Sequence, residues 1–211
     1  SGDELAGRAL QQARRLGAEI LVTRAISRID GERHQVHLDG GDVLHGRTIV
    51  LACGVSWRRL DIPGFDELKG RGVYYGASPS DSAATHGQDV HVIGAGNSGG
   101  QAAMFFSNHA RSVTIVCRGD SLEKSMSSYL IRQIATRSNI TARFRSQIVG
   151  AYGDGAIEEI DIEDQARGTV ERVPSGGVYI FIGADAETGW LPPEIALDNR
   201  GFVVTGADVP A

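Results

Sequence analysis

Three glycines within six residues, Gly94-Ala95-Gly96-Asn97-Ser98-Gly99, constrain the architecture of this chain more than any other stretch. They stand between a short buried strand expected at residues 90–93 and an apolar helical pattern at 99–109, and a second short strand follows at 113–116. Between strand and helix this spacing has a physical reason. The first glycine makes the tight turn, the second lets backbone meet a pyrophosphate, and the third lets the helix pack on the strand. The helix N-terminus then offers unpaired N–H groups and the positive end of its dipole to an anion. The pattern implies a dinucleotide-binding β-α-β unit, with a merely structural glycine turn as the alternative. The 28 glycines among 211 residues agree, since ordinary usage is about 7%.

A rival motif overlaps the loop. Gly96-Asn97-Ser98-Gly99-Gly100 also spells G-x-S-x-G, the nucleophile elbow of α/β-hydrolases. That fold places its acid and then its histidine after the serine. No histidine follows His109, so Ser98 has no base to activate it.

Charge and cysteine content narrow the classes further. With 21 basic against 26 acidic residues the net charge is −5, which leaves no basic excess for gripping a nucleic-acid backbone. No apolar run approaches the roughly 18 residues of a membrane-spanning helix. Cys53 and Cys117 form neither a disulfide framework nor a C-x-x-C pair, so a reducing compartment, the cytoplasm, is expected. The chain begins at Ser1 without an initiator Met, which suggests a piece of a longer protein.

Along the chain, residues 3–16 read as an amphipathic helix and 19–23 as a strand. Turn signals at Asp30-Gly31-Glu32 and Asp39-Gly40-Gly41-Asp42 flank a strand at 35–38, and the run 48–52 completes a small antiparallel meander as a buried strand. These first residues describe half a domain, with a boundary expected near residue 72. Beyond the glycine loop, a helix is expected at 121–137 and strands at 142–145, 147–152, 157–162 and 178–182. The fold class is α/β: a doubly wound, Rossmann-like NAD(P)-binding domain at 73–190 with an antiparallel β appendix, preceded at 1–72 by part of a second α/β domain and followed at 191–211 by the return into it.

The end of the second strand decides which nicotinamide cofactor fits. An acidic side chain there accepts hydrogen bonds from a ribose 2′-hydroxyl, whereas an arginine neutralises a 2′-phosphate. The chain reads Cys117-Arg118-Gly119-Asp120. Arg118 favours NADPH; NADH with Asp120 as ribose acceptor, or a solvated strand-end arginine, are the alternatives.

With these segments in view, the chain resembles the NADPH domain of low-molecular-weight thioredoxin reductases. Gly70-Arg71-Gly72-Val73, Val92-Ile93-Gly94-Ala95-Gly96-Asn97-Ser98, Ser112-Val113-Thr114-Ile115-Val116 and Phe181-Ile182-Gly183 carry the resemblance, in order and spacing. Upstream, Ile49-Val50-Leu51-Ala52-Cys53-Gly54 is similar to the family's strand that ends in a turn against FAD, followed by a linker like Arg59-Leu60-Asp61-Ile62-Pro63-Gly64. The resemblance implies NADPH and FAD as cofactors. It assigns Gly94 to Gly99, Arg118, Gly119, Ile182 and Gly183 to the nicotinamide nucleotide, and Cys53 with Gly54 to the flavin. It also implies a homodimeric flavin oxidoreductase in which no side chain of this stretch acts as acid, base or nucleophile.

Two departures shape the expected chemistry. The family's redox Cys-x-x-Cys falls on Gly76-Ala77-Ser78-Pro79, so a dithiol relay cannot run through this site. The family's double-arginine phosphate clamp is reduced to Arg118 followed by Gly119, with Lys124 as the further basic residue nearby. The family's N-terminal FAD-binding glycine motif and its later Gly-Asp flavin motif are not in these residues, and the chain is expected to be the middle of a flavoprotein of a branch lacking the dithiol. The function expected is hydride transfer from NADPH to FAD and on to an unknown acceptor, a small molecule or a redox protein. A nucleotide-binding sensor without turnover, and a thioredoxin reductase with cysteines elsewhere, are the other readings.

The remaining constellations read as ordinary surface or packing. His34, His37 and His45 match no zinc spacing, and the acidic residues at 158–164 alternate with Ile157, Ile160 and Ile162 like the solvent face of a strand. Arg58 and Arg59 read as solvated linker residues and Trp190 as packing between domains.

Overall fold

The computed structural model describes residues 2–77 and 81–209. Contacts divide the chain into two units, Ser1–Ser56 with Asp185–Ala211, and Trp57–Ala184. The first opens with α1 (Gly2–Arg15), whose last turn carries Arg14 and Arg15, favourable at the negative end of the helix dipole. Its leucines lie open, with Leu5 71% and Leu10 37% exposed. Next come β1 (Ile26–Asp30), β2 (Gln35–Leu38) and β3 (Val43–His45), an antiparallel sheet in which Ile29 and Leu38 are buried. Arg24 holds the second turn by bonding Asp39 at 3.0 Å and Asp42 at 2.7 Å. A short strand β4 (Val55–Trp57) follows.

Two sequence expectations fail in this unit. Residues 19–23 form no strand, because Thr23 takes a left-handed φ of 61° that breaks extended backbone; the strand begins three residues later, at Ile26. The run 48–52 is not a strand either. A strand needs a neighbour for its ladder, none of the described residues pairs with it, and Val50 stands 85% exposed.

The second unit holds β5 (Val73–Tyr75), a short α2 (Asp81–Ala84), β6 (Asp89–Ile93), α3 (Asn97–Phe106), β7 (Ser112–Val116), α4 (Ser128–Ala135), β8 (Ile140–Arg143), β9 (Ser146–Tyr152), β10 (Glu159–Asp164), β11 (Thr169–Pro174) and β12 (Gly177–Ile180). In the first unit a last short strand, β13 (Ala184–Ala186), pairs with β4. The central sheet is parallel in the order β5-β12-β6-β7-β8. A parallel sheet covered on both faces needs continuous apolar strands, and Val90, Val92, Val113, Ile115 and Val178 are fully buried. The α/β, Rossmann-like fold expected from the sequence is present.

The faces are covered differently. Phe106, Leu130 and Tyr179 pack with Val90 and Val92 under the helices, whereas the antiparallel sheet β9-β10-β11 lays Ile148, Ile160 and Ile162 against Val73, Val178 and Ile180. On its outer surface Asp161 pairs with its cross-strand neighbour Arg172 at 2.8 Å, which places the acidic run where the sequence put it. Phe65 and Leu68 join the second core, so residues 57–72 pack as part of this unit and the expected boundary at 72 lies inside it.

The helix expected at 121–137 is shorter. Leu122 and Met126 are buried, but they sit in turns, and Ser127 is extended (φ −63°, ψ 141°) before α4 starts at Ser128. Strands β5 and β11 escaped the sequence reading. The first is only three residues long, and the second, Thr-Val-Glu-Arg-Val-Pro, is almost wholly exposed and lacks an apolar face.

Candidate functional site

Strand β6 runs into the glycine loop, and the loop explains its own composition. Gly94 has φ 121°, and a Cβ there would lie 2.2 Å from the carbonyl oxygen of Phe181, whose amide donates to Ile93 O at 2.8 Å. A Cβ on Gly99 would lie 2.2 Å from Gly94 O. These two glycines are required by the protein's own packing. Gly96 is not: its backbone (φ −83°, ψ 178°) suits any residue, and the nearest atom to a Cβ is Ser125 O at 3.9 Å. The space above Gly96 is open.

Helix α3 starts immediately after Gly96 with neither a side-chain cap nor an acidic residue in its first turn. Its first N–H groups are left for an anion. The loop is braced by the segment before α4: Ser125 Oγ donates to Ala95 O at 2.8 Å, and Asn97 Oδ1 accepts from Ser127 N at 2.8 Å.

Above the loop opens a cavity of about 920 Å³, all within the second unit. Its floor is residues 93–98, and its walls are 116–119, 146–149 and 181–183, with Trp57 and residues 60–63 along one side. It therefore brings together Gly94, Ala95, Gly96, Asn97, Ser98, Arg118, Gly119, Ile182 and Gly183; Gly99 lies buried beneath. The Arg58 amide donates to Gly183 O at 3.2 Å, tying the 57–62 segment to the far wall.

Arg118 is exposed at the mouth and has no ion-pair partner among the described residues. Asp120, the alternative ribose acceptor, is bound to Lys124 at 2.8 Å. That bond, foremost, holds its carboxyl below the usual carboxylate range. Lys124, read from the sequence as a further basic residue for a phosphate, is thus engaged with Asp120.

Cys53 and Gly54 belong to the first unit, where both are exposed. Cys117 is buried and lines the cavity. Of Gly76-Ala77-Ser78-Pro79, Ser78 and Pro79 lie outside the described residues. Trp190 donates its indole N–H to Glu187 O at 2.9 Å in its own unit. Among the described residues no group of three or more His, Cys, Asp or Glu is placed to hold a metal ion, and no helix is long and apolar enough to cross a membrane.

Sequence reasoning missed Ser125, the wall at 146–149 and the strip at 60–63. Each reaches the cavity from far along the chain, and no local pattern marks such an approach.

The family model for pyridine nucleotide-disulphide oxidoreductases matches residues 2–209. The chain belongs to this family. The F component of the alkyl hydroperoxide reductase of Staphylococcus epidermidis is 30% identical over 174 residues, covering 82% of this chain and 34% of that protein. A 34.2 kDa protein in the rubredoxin operon of Clostridium pasteurianum is 28% identical over 206 residues, covering 97% of this chain and 66% of its own. Among solved structures, the thioredoxin reductase of T. acidophilum superposes with a TM-score of 0.77 at 25% identity, covering 98% of this chain and 67% of that one. The chain spans about a third of the length of the hydroperoxide reductase components it matches. The donors around this open cradle suit an anion: the bare N–H groups at the start of α3, and the Arg118 guanidinium, which has no ion-pair partner among the described residues.

Proposed function

We propose that this chain supplies the nucleotide-binding part of an NADPH-dependent flavin oxidoreductase. The observation that carries the reading is the open space above Gly96, a glycine that nothing in the protein's own packing requires. Gly94 and Gly99 shape the loop, Gly96 lets the pyrophosphate approach, and the first turn of α3 donates to it. Arg118 takes the 2′-phosphate as a bidentate cation. Ile182 and Gly183 wall the nicotinamide end. When bound, the nicotinamide supplies hydride. FAD is the second cofactor we propose, on the resemblance at residues 49–54 together with family membership. The acceptor beyond FAD is proposed as a small molecule or redox protein, the assembly as a homodimer and the setting as the cytoplasm.

The absence of cysteine from residues 76–79 favours an acceptor other than a disulfide relayed through this site. The same observation supports the second reading, a nucleotide-binding sensor without turnover. A thioredoxin reductase drawing on cysteines elsewhere in a longer chain is the third.

Titration with NADPH and with NADH, followed through the fluorescence of Trp57 at the cavity wall, tests the nucleotide reading. Preferential NADPH binding that falls selectively in Arg118→Ala supports it; no binding of either cofactor overturns it. Flavin reduction kinetics on the full-length protein then separate enzyme from sensor.

A further inference from the structure

We propose that Arg145 is a second cation for the adenosine 2′-phosphate, closing on it opposite Arg118; this rests on the nucleotide reading above. A phosphate monoester near neutral pH carries close to two negative charges and presents three oxygens, more than one exposed guanidinium neutralises. The cations around the end of β7 are mostly committed. Lys124 holds Asp120 at 2.8 Å, and Arg143 holds Glu171 at 2.7 Å. Arg118 and Arg145 are exposed, and neither has an ion-pair partner among the described residues.

The backbone brings these two arginines to one place. Three hydrogen bonds stitch the corner between β8 and β9 to the turn that carries Arg118. Cys117 N donates to Arg143 O at 2.9 Å, Ser146 N to Cys117 O at 3.0 Å, and Arg145 N to Gly119 O at 2.8 Å. The residues after Arg145, Ser146 and Gln147, line the same cavity as Arg118 and Gly119. The Arg145 charge is also felt at Asp120, where it adds to the stronger effect of Lys124 in holding the carboxyl low.

Arg145 also occupies a backbone position that does not suit it. Its φ is 48°, in the left-handed region that glycine and asparagine occupy at little cost and a long side chain does not. Glycine would hold such a corner at less cost, and the arginine sets a charged side chain there instead. The strained position carries a cation next to Ser146 and Gln147, which line a cavity with room for a charged ligand.

The test uses the whole chain and four probes: NADPH, NADH, 2′,5′-ADP and 5′-ADP. Arg145→Gly is the variant of choice because glycine accepts the left-handed backbone, so its fold is kept or stabilised. Arg145→Lys serves as the conservative partner. Arg145→Gly weakens NADPH and 2′,5′-ADP roughly tenfold or more and leaves NADH and 5′-ADP within about twofold, and Arg145→Lys recovers part of the loss. Unchanged NADPH affinity in Arg145→Gly, beside a selective loss in Arg118→Ala, overturns the Arg145 assignment and leaves the nucleotide reading standing. Equal loss for all four probes overturns it as well, since that marks a role in the fold. A wild-type chain that binds none of the four overturns both.

Discussion

The side chain of Asn97 and the backbone of Ser127, thirty residues apart, are joined by a 2.8 Å hydrogen bond that fastens the glycine loop to the start of α4. Asn97 stands in the first turn of α3, so its amide is spent on the neighbouring helix rather than on capping its own. Asn97→Ala removes an acceptor from Ser127 N–H and costs about 1 kcal/mol of stability. It also weakens NADPH roughly three- to tenfold by loosening the loop. Asn97→Asp keeps the acceptor and restores stability, which calorimetry and titration on the two variants check together.

The contrast between Gly94 and Gly96 separates folding from binding. Gly94→Ala meets a backbone carbonyl and a positive φ, and it destabilises the chain by about 3 kcal/mol or more, read as a lower unfolding midpoint. Gly96→Val leaves the midpoint nearly unchanged, because its Cβ enters open space. The same change abolishes NADPH binding at concentrations that saturate the wild type. A Gly96→Val chain that binds normally removes the support that this glycine gives the nucleotide reading.

His91, on β6 with Nδ1 3.0 Å from Ser175 Oγ, is buried against the antiparallel sheet, and burial lowers its pKa to about 4 from 6.5. Asp89 opposes that shift without reversing it, and the Arg143 charge adds to it. Between pH 6.5 and 4 the unfolded chain therefore binds a proton that the folded chain refuses. Stability falls as pH falls through this window, by about 2 kcal/mol from this residue between pH 7.5 and 5. Denaturant unfolding at several pH values shows the slope, and His91→Gln flattens it there. An unchanged slope in the variant means that the carboxylates alone produce it.

The two thiols differ in access. Cys53 is exposed and Cys117 is buried behind the glycine loop. A thiol-specific chromogenic reagent titrates one sulfur quickly in the native chain, and the second at least roughly tenfold more slowly. Saturating NADPH slows the second further, because Cys117 lines the cavity that the nucleotide fills. Two equally fast thiols contradict the burial of Cys117.

What the sequence made legible was local. The glycine loop, β6 and β7 announce themselves through a spacing and an apolar run that need only their own neighbourhood. The run at 48–52 looks just as strand-like, yet a strand is a property of two segments, and its pattern names no partner. Residues 121–127 carry a helical period through Leu122 and Met126 but are drawn into turns that deliver Ser125 and Ser127 to the loop. The same limit hides the site's rim. Arg118 is readable because it follows its strand directly, whereas Arg145 reaches that strand end only through the register of β8 beside β7.

Strand β12 is the last strand of the parallel sheet to be synthesised, and it lies between β5 and β6. A nascent chain that has emerged only as far as β11 has two separated pieces of sheet and lacks the Phe181 carbonyl that dictates glycine at position 94. Closing the sheet requires an insertion between segments already made, a slow, non-local event. The cradle proposed over Gly96 is therefore complete only once β12 has taken its place between β5 and β6.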